Sequence, residues 1–396
     1  MQKCFLSIII FFLIFSYGTG YISAKEHQDG EKKEEQIELT KYSQSAILLE
    51  RDTGKIMYEK GANDKLPPAS MTKIMTLILI MEALDKGTIE LEEKVSISEY
   101  AASMGGSQIF LEAGEKMTVK DLLKGVAVAS GNDASVALAE RIAGSEEAFV
   151  KMMNEKAREL NLENTHFENP TGLPAENHYS TAYDMAIMAR ELLKHEEITS
   201  YTSIYEDYLR KGTEDEFWLV NTNKLVKFYD GVDGLKTGYT TKAKYCLTAT
   251  AERNDMRVIA VVMGADTTKK RNSDVTKMLD YAFNQYETKK LFERNQAVSK
   301  LDLLKANKKG VKVVTGDSVS LLHKKGEKLK DIQTNVQLNE NIELPLAKGD
   351  QVGILSVVQN GKTLSKTPLV VQEDVGMAGF WMLFKETFDD LLKKEY

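Results

Sequence analysis

The chain has 396 residues, 42% hydrophobic and 28% charged, with a formal net charge of −7. That length suits two domains rather than one, and the composition is that of a globular protein. The acidic balance argues against a nucleic-acid partner, and five histidines without H-E-x-x-H-type spacing supply no metal site.

At the N-terminus Lys3 precedes an apolar run over residues 5–15, and Ile22-Ser23-Ala24 offers small residues for cleavage. This predicts a signal peptide over residues 1–24, cut after Ala24. The run falls short of the roughly 20 residues that span a bilayer, which disfavours the alternative of an uncleaved anchor. Cys4 lies before the run and cannot be a lipid-modified cysteine at the cleavage point. Cys246 is then the one remaining cysteine, so no intramolecular disulfide is expected; within Tyr245-Cys246-Leu247 it reads as a small buried hydrophobe. Residues 25–40 form a charged leader.

Residues 45–60 read as a hairpin turning at Asp52-Thr53-Gly54. Pro67 and Pro68 then introduce Ser70-Met71-Thr72-Lys73, followed by an apolar run to Met81. A helix apolar on nearly every face belongs in the middle of a domain. Its first turn puts Ser70 and Lys73 side by side. A hydroxyl beside an amine suits a nucleophile and its base, provided the lysine is neutral. A lone S-x-x-K is also the pattern of a capping serine and a snorkelling lysine. The rest of the chain has to decide.

A capping-box spacing at Thr118 to Asp121 predicts a helix ending at Ser130-Gly131-Asn132, with another beginning at once. Helices are also expected over residues 146–160 and 184–195, joined by a Gly/Pro/Asn loop. Strand patterns follow at 233–239, 246–250 and 257–263. Helices in the middle and strands at both ends predict an α+β domain with a mixed-origin sheet, over residues 41–290. From about residue 295 to 373 short apolar runs alternate with Gly, Asn and Lys turns, as in a small all-β domain. Residues 376–396 form an amphipathic helix, with Phe380, Trp381, Phe384 and Phe388 on one side and lysines and acids on the other. That pattern suits a membrane interface, or packing back onto the β domain.

Three short motifs occur in order: Ser70-Met71-Thr72-Lys73, Ser130-Gly131-Asn132 and Lys236-Thr237-Gly238. With the longer runs at residues 67–76, 178–182 and 231–240, the chain resembles the serine-type D-alanyl-D-alanine carboxypeptidases, the low-molecular-mass penicillin-binding proteins. The likeness covers about residues 45–287, and the tail architecture fits it. The resemblance implies a β-lactamase/transpeptidase-like fold and removal of the terminal D-alanine from peptidoglycan stem peptides. Ser70 would form the acyl-enzyme, Lys73 would take its proton and Ser130 would relay a proton to the leaving amine. Asn132, Lys236, Thr237, Gly238 and Tyr239 would line the substrate. The oxyanion donors would be the N–H groups of Ser70 and Tyr239. Thr237 and, by alignment along the following strands, Arg271 would hold the leaving carboxylate.

No cofactor or metal is implied. β-Lactams would be covalent inhibitors, and the protein would be exported to the outer face of the cytoplasmic membrane and held there by its C-terminal helix. Where many relatives carry Gly before an aromatic residue, this chain has Lys244 before Tyr245. No E-x-x-L-N loop occurs between Ser145 and Ser180, which argues against a β-lactamase. A β-lactam sensor would share the acylation residues but usually carries signalling helices. Carboxypeptidase, endopeptidase and transpeptidase action share one acylation machinery and stay unresolved in the sequence.

Overall fold

The computed structural model describes residues 37–381. The signal-peptide expectation, most of the leader and the C-terminal helix beyond Trp381 lie outside these described residues. No helix among them is long and apolar enough to cross a membrane.

The first strand, Ser45–Glu50, has no polar face. Ala46 and Leu48 look one way, Ile47 and Leu49 the other, and all four are buried. A strand apolar on both sides needs a covering layer on each. It pairs antiparallel with Ile56–Lys60 and with Met256–Ala265, and the sheet continues through Lys244–Arg253 to Val232–Thr240. On one face Ile47, Leu49, Ile259 and Val261 join a core with the helices Lys73–Asp85, Asn132–Ala143 and Ala182–Leu192. On the other, Leu48, Val258 and Ala260 meet Val275, Met278 and Leu279 of the helix Thr268–Gln285.

That last helix was not among the expected elements. Its pattern is plain: Thr267 caps it through the N–H of Lys270, and Arg271, Asp274, Val275, Met278, Leu279 and Ala282 recur on its buried side. The helix expected from residue 184 begins at Ala182, because Thr181 caps it through Asp184 N–H, and ends at Leu192. A short hairpin, Glu206–Leu209 with Phe217–Val220, also goes beyond the sequence reading.

The second part is all-β, as its turn-rich sequence predicts. Strands Ala297–Leu301, Val311–Thr315, Lys362–Val371, Gln351–Gln359 and Ile332–Leu338 form an antiparallel sheet in that order around Val313, Val352, Leu355 and Leu369. Tyr286–Phe292 pairs with Val319–Lys324, so strand pairing into the second part begins ahead of residue 295.

Candidate active site

Ser70 lies not on an α-helical turn but on the 3₁₀ turn Ala69–Thr72, and Lys73 opens the α-helix behind it. Side chains three apart eclipse in a 3₁₀ turn, which brings the two groups together more closely than an α-turn would. Lys73 is fully buried. Its Nζ lies 3.2 Å from Ser70 Oγ, 2.6 Å from Asn132 Oδ1 and 2.8 Å from the carbonyl of Thr171. Burial, then the ammonium of Lys236, hold Lys73 well below its ordinary 10.5, with Asp133 pulling the other way. The last two contacts are to acceptors with no proton to give. A neutral amine has two N–H donors and one lone pair. In that neutral form, with both donors spent on Asn132 and Thr171, the lone pair would be free to take the hydroxyl proton of Ser70.

Ser130 ends the segment Val119–Ala129, whose last turn, Gly125–Ala129, widens to a π-helical one. Ser130 itself is left-handed, at φ 65° and ψ 30°, a conformation that side chains other than Gly, Asn and Asp seldom adopt. The kink lets Asn132 begin the next helix. Asn132 Nδ2 donates to Gly105 O at 2.6 Å, which fixes the amide so that Oδ1 faces Lys73. Its side chain engages both Lys73 and the Gly105 loop. Next to it, the buried Asp133 carboxylate accepts from the N–H groups of Ile109, Leu111 and Ala134 and holds the same loop.

The K-T-G motif lies on Val232–Thr240, the edge strand. A Cβ on Gly238 would stand 2.6 Å from the carbonyl oxygen of Pro68, so the strand reaches the Ser70 turn only because residue 238 is glycine. Lys236 is buried and its Nζ donates to Thr237 O. Burial, and then the guanidinium of Arg271, push it down to about 7. Thr237 Oγ1 donates to Thr222 Oγ1 at 2.7 Å. Tyr239 stays exposed, its ring 4.4 Å from that of Tyr245. Lys244 has φ 57° and pairs with Asp266. Position 244 is thus left-handed, a conformation that glycine adopts at no steric cost.

Arg271 does not lie on a strand. It sits in the first turn of Thr268–Gln285, buried, with its guanidinium on Asn272 Oδ1, and reaches the site as a charge felt by Lys236. Cys246 is a free, buried thiol, pushed up to about 11 by burial. Among the described residues no cluster of His, Cys, Asp or Glu could hold a metal ion.

The sequence reading passed over Thr171, Asp133, Thr222 and the contact between His178 and Thr72. Asp133 adjoins a motif and could have been suspected. Thr171 acts through its carbonyl, which any residue carries, so no side-chain pattern announces it.

Residues 31–267 match the D-alanyl-D-alanine carboxypeptidase family of S11 peptidases. The chain belongs to that family. Residues 286–377 match the C-terminal domain of penicillin-binding protein 5. The chain is 55% identical to the D-alanyl-D-alanine carboxypeptidase DacF of Bacillus subtilis, over 99% of its own length and 100% of that protein. It is 36% identical to the Escherichia coli carboxypeptidase DacC, over 85% and 84% of the two chains. Among solved structures it resembles penicillin-binding protein 5 of Haemophilus influenzae, with a TM-score of 0.66 and 34% identity over 85% of this chain and 98% of the other. It also resembles cefotaxime-bound penicillin-binding protein D2 of Listeria monocytogenes, with a TM-score of 0.53 and 31% identity over 61% and 97%.

Proposed function

We propose that this D-alanyl-D-alanine carboxypeptidase works through an acyl-enzyme on Ser70. Ser70 Oγ attacks the carbonyl of the penultimate D-alanine while its proton passes to Lys73 Nζ. The C–N bond then breaks, and Ser130 relays a proton to the departing amine of the terminal D-alanine. Water then attacks the ester carbonyl and gives a proton to Lys73, neutral again, which passes it to Ser70 Oγ as the bond between the acyl carbon and that oxygen breaks. The N–H groups of Ser70 and Tyr239 hold the oxyanion; each such donor is worth roughly 3 kcal/mol of barrier. Lys236, Thr237 and the charge of Arg271 receive the terminal carboxylate, and the edge strand at Gly238 pairs with the peptide. The observation that carries this reading is Lys73, which is buried, depressed in pKa and donating to two carbonyl-type acceptors beside Ser70.

β-Lactams enter the same step as acylating inhibitors, a reading supported by the cefotaxime and ampicillin complexes of one similar protein, penicillin-binding protein D2 of Listeria monocytogenes. Export and attachment to the outer face of the cytoplasmic membrane rest on the sequence patterns at residues 1–24 and 376–396. Sedimentation of the full chain with phospholipid vesicles, lost on truncation after Glu373, checks the attachment.

The deciding experiment follows D-alanine release from a D-alanyl-D-alanine peptide, with Ser70→Ala as control. Release by the wild type alone supports the mechanism. Release by both proteins, or labelling of Ser70→Ala by a fluorescent penicillin, rules out Ser70 as nucleophile.

A further inference from the structure

A 3₁₀ turn is short, and its hydrogen bonds are poorer than those of an α-helix. The turn carrying Ser70 therefore needs ties from outside itself if its hydroxyl is to hold one position. Around such a turn Ser70 and Lys73 share one side, and Met71 and Thr72 point to the other two. Met71 Sδ accepts from Thr248 Oγ1 of the sheet at 3.3 Å. Thr72, also buried, meets His178 Nε2 at 2.7 Å. His178 ends a loop that touches the nucleophile segment elsewhere: Thr76 Oγ1 donates to Pro170 O, and a Cβ on Gly172 would collide with the Ala69 carbonyl.

The tautomer of His178 follows from its partners. Nδ1 accepts from the N–H of Glu168 at 3.2 Å, so it carries no proton. The proton is then on Nε2, which donates to Thr72 Oγ1. Burial, and then His166, hold the imidazole down to about 4, in keeping with one donor and one acceptor on the ring. Phe167 packs edge-on against it, with centroids 5.8 Å apart.

We propose that His178 is a positioning residue for the nucleophile, gripping the Ser70 turn from behind through Thr72. It acts on Ser70 through Thr72. This rests on the reading of Ser70 as the nucleophile.

The test uses the full-length protein and the variants His178→Asn, His178→Gln, Thr72→Val and Thr72→Val/His178→Asn. The readouts are the acylation rate with a fluorescent penicillin, kcat and KM for D-alanine release, and Tm. Asparagine ends near the Nδ1 position and keeps the Glu168 contact without reaching Thr72; glutamine reaches Thr72. His178→Asn and Thr72→Val are each expected to slow acylation about tenfold or more with KM within about twofold, since a displacement of about 1 Å at a reacting group costs on the order of 100-fold. Glutamine should restore most of the rate, and the double variant should be no slower than the slower single one, because both act through one contact. The inference is overturned if His178→Asn acylates at the wild-type rate, if Asn and Gln lose rate equally, or if the losses in the double variant multiply. Labelling of Ser70→Ala would instead overturn the nucleophile reading itself, a result that no His178 variant can mimic.

Discussion

Two lysines, Lys73 and Lys236, are among the largest fully buried side chains in the protein. Burying an ammonium is costly, and in the mechanism proposed above that cost is what supplies a neutral amine beside the Ser70 hydroxyl. The sign for stability follows. In the folded protein burial, and then Arg271, push Lys236 down to about 7 from an ordinary 10.5. Between those values the unfolded chain binds more protons, so the wild type gains stability as pH rises through that window. Lys236→Met removes this dependence and fills the same space. Its Tm should exceed that of the wild type most below about pH 7, with the gain shrinking toward pH 10.5. Removing the neighbouring ammonium also lets Lys73 hold its proton more tightly, so the acid limb of the acylation profile should move to higher pH. Thermal melts and penicillin acylation across pH check both. A Tm difference that stays flat through the window would show that Lys236 is not the strained group.

At the scale of elements, the site is made by three departures from regular structure: a 3₁₀ turn under Ser70, a π-helical turn before Ser130 and a left-handed Ser130. The left-handed conformation costs a side chain about 1–2 kcal/mol, of which glycine recovers part after its own entropy loss of about 0.5–1 kcal/mol. Ser130→Gly should therefore leave unfolding free energy unchanged or raise it by up to about 1.5 kcal/mol, while loss of the proposed proton relay lowers D-alanine release by roughly 10²- to 10⁴-fold. Denaturant melts beside activity assays separate the two effects; retained activity would remove Ser130 from the proton path. The three motifs are legible in the sequence because their chemistry lies in side chains at short spacing. The loop of Pro170, Thr171 and Gly172 is not, since its contacts use backbone carbonyls and the absence of a Cβ. The helix Thr268–Gln285 was legible by its periodicity, and Arg271 belongs to it; following strands alone past Ala265 misplaces that arginine.

Across the whole molecule, the catalytic part and the β-rich part are joined by a polar contact as well as by the chain at Tyr286. Arg51, buried in the turn of the first hairpin, pairs with Asp52 at 2.9 Å and with Asp317 of the β-rich part at 2.6 Å, and donates to Leu193 O. Arg190 donates to the carbonyls of Arg51 and Asp52, and Ser320 to the Asp52 carboxylate. This junction adjoins the Asp85 end of the central helix, since Asp85 and Asp317 line one cavity. Lys73 and Asp85 are the two ends of this 13-residue helix, twelve steps and roughly 18 Å apart at about 1.5 Å per residue. Asp317→Ala leaves Arg51 with one carboxylate of two, and a charged hydrogen bond lost in a buried place costs about 1.5–3 kcal/mol. The variant should melt lower and be cut faster by protease in the connection around residues 286–296, yet keep kcat/KM for D-alanine release within about twofold, because packed contacts that far apart add independently. Limited proteolysis followed by the peptide assay checks this. A large fall in kcat/KM with unchanged melting would mean that the junction and the Ser70 turn form one cooperative unit, with the central helix as the element connecting them.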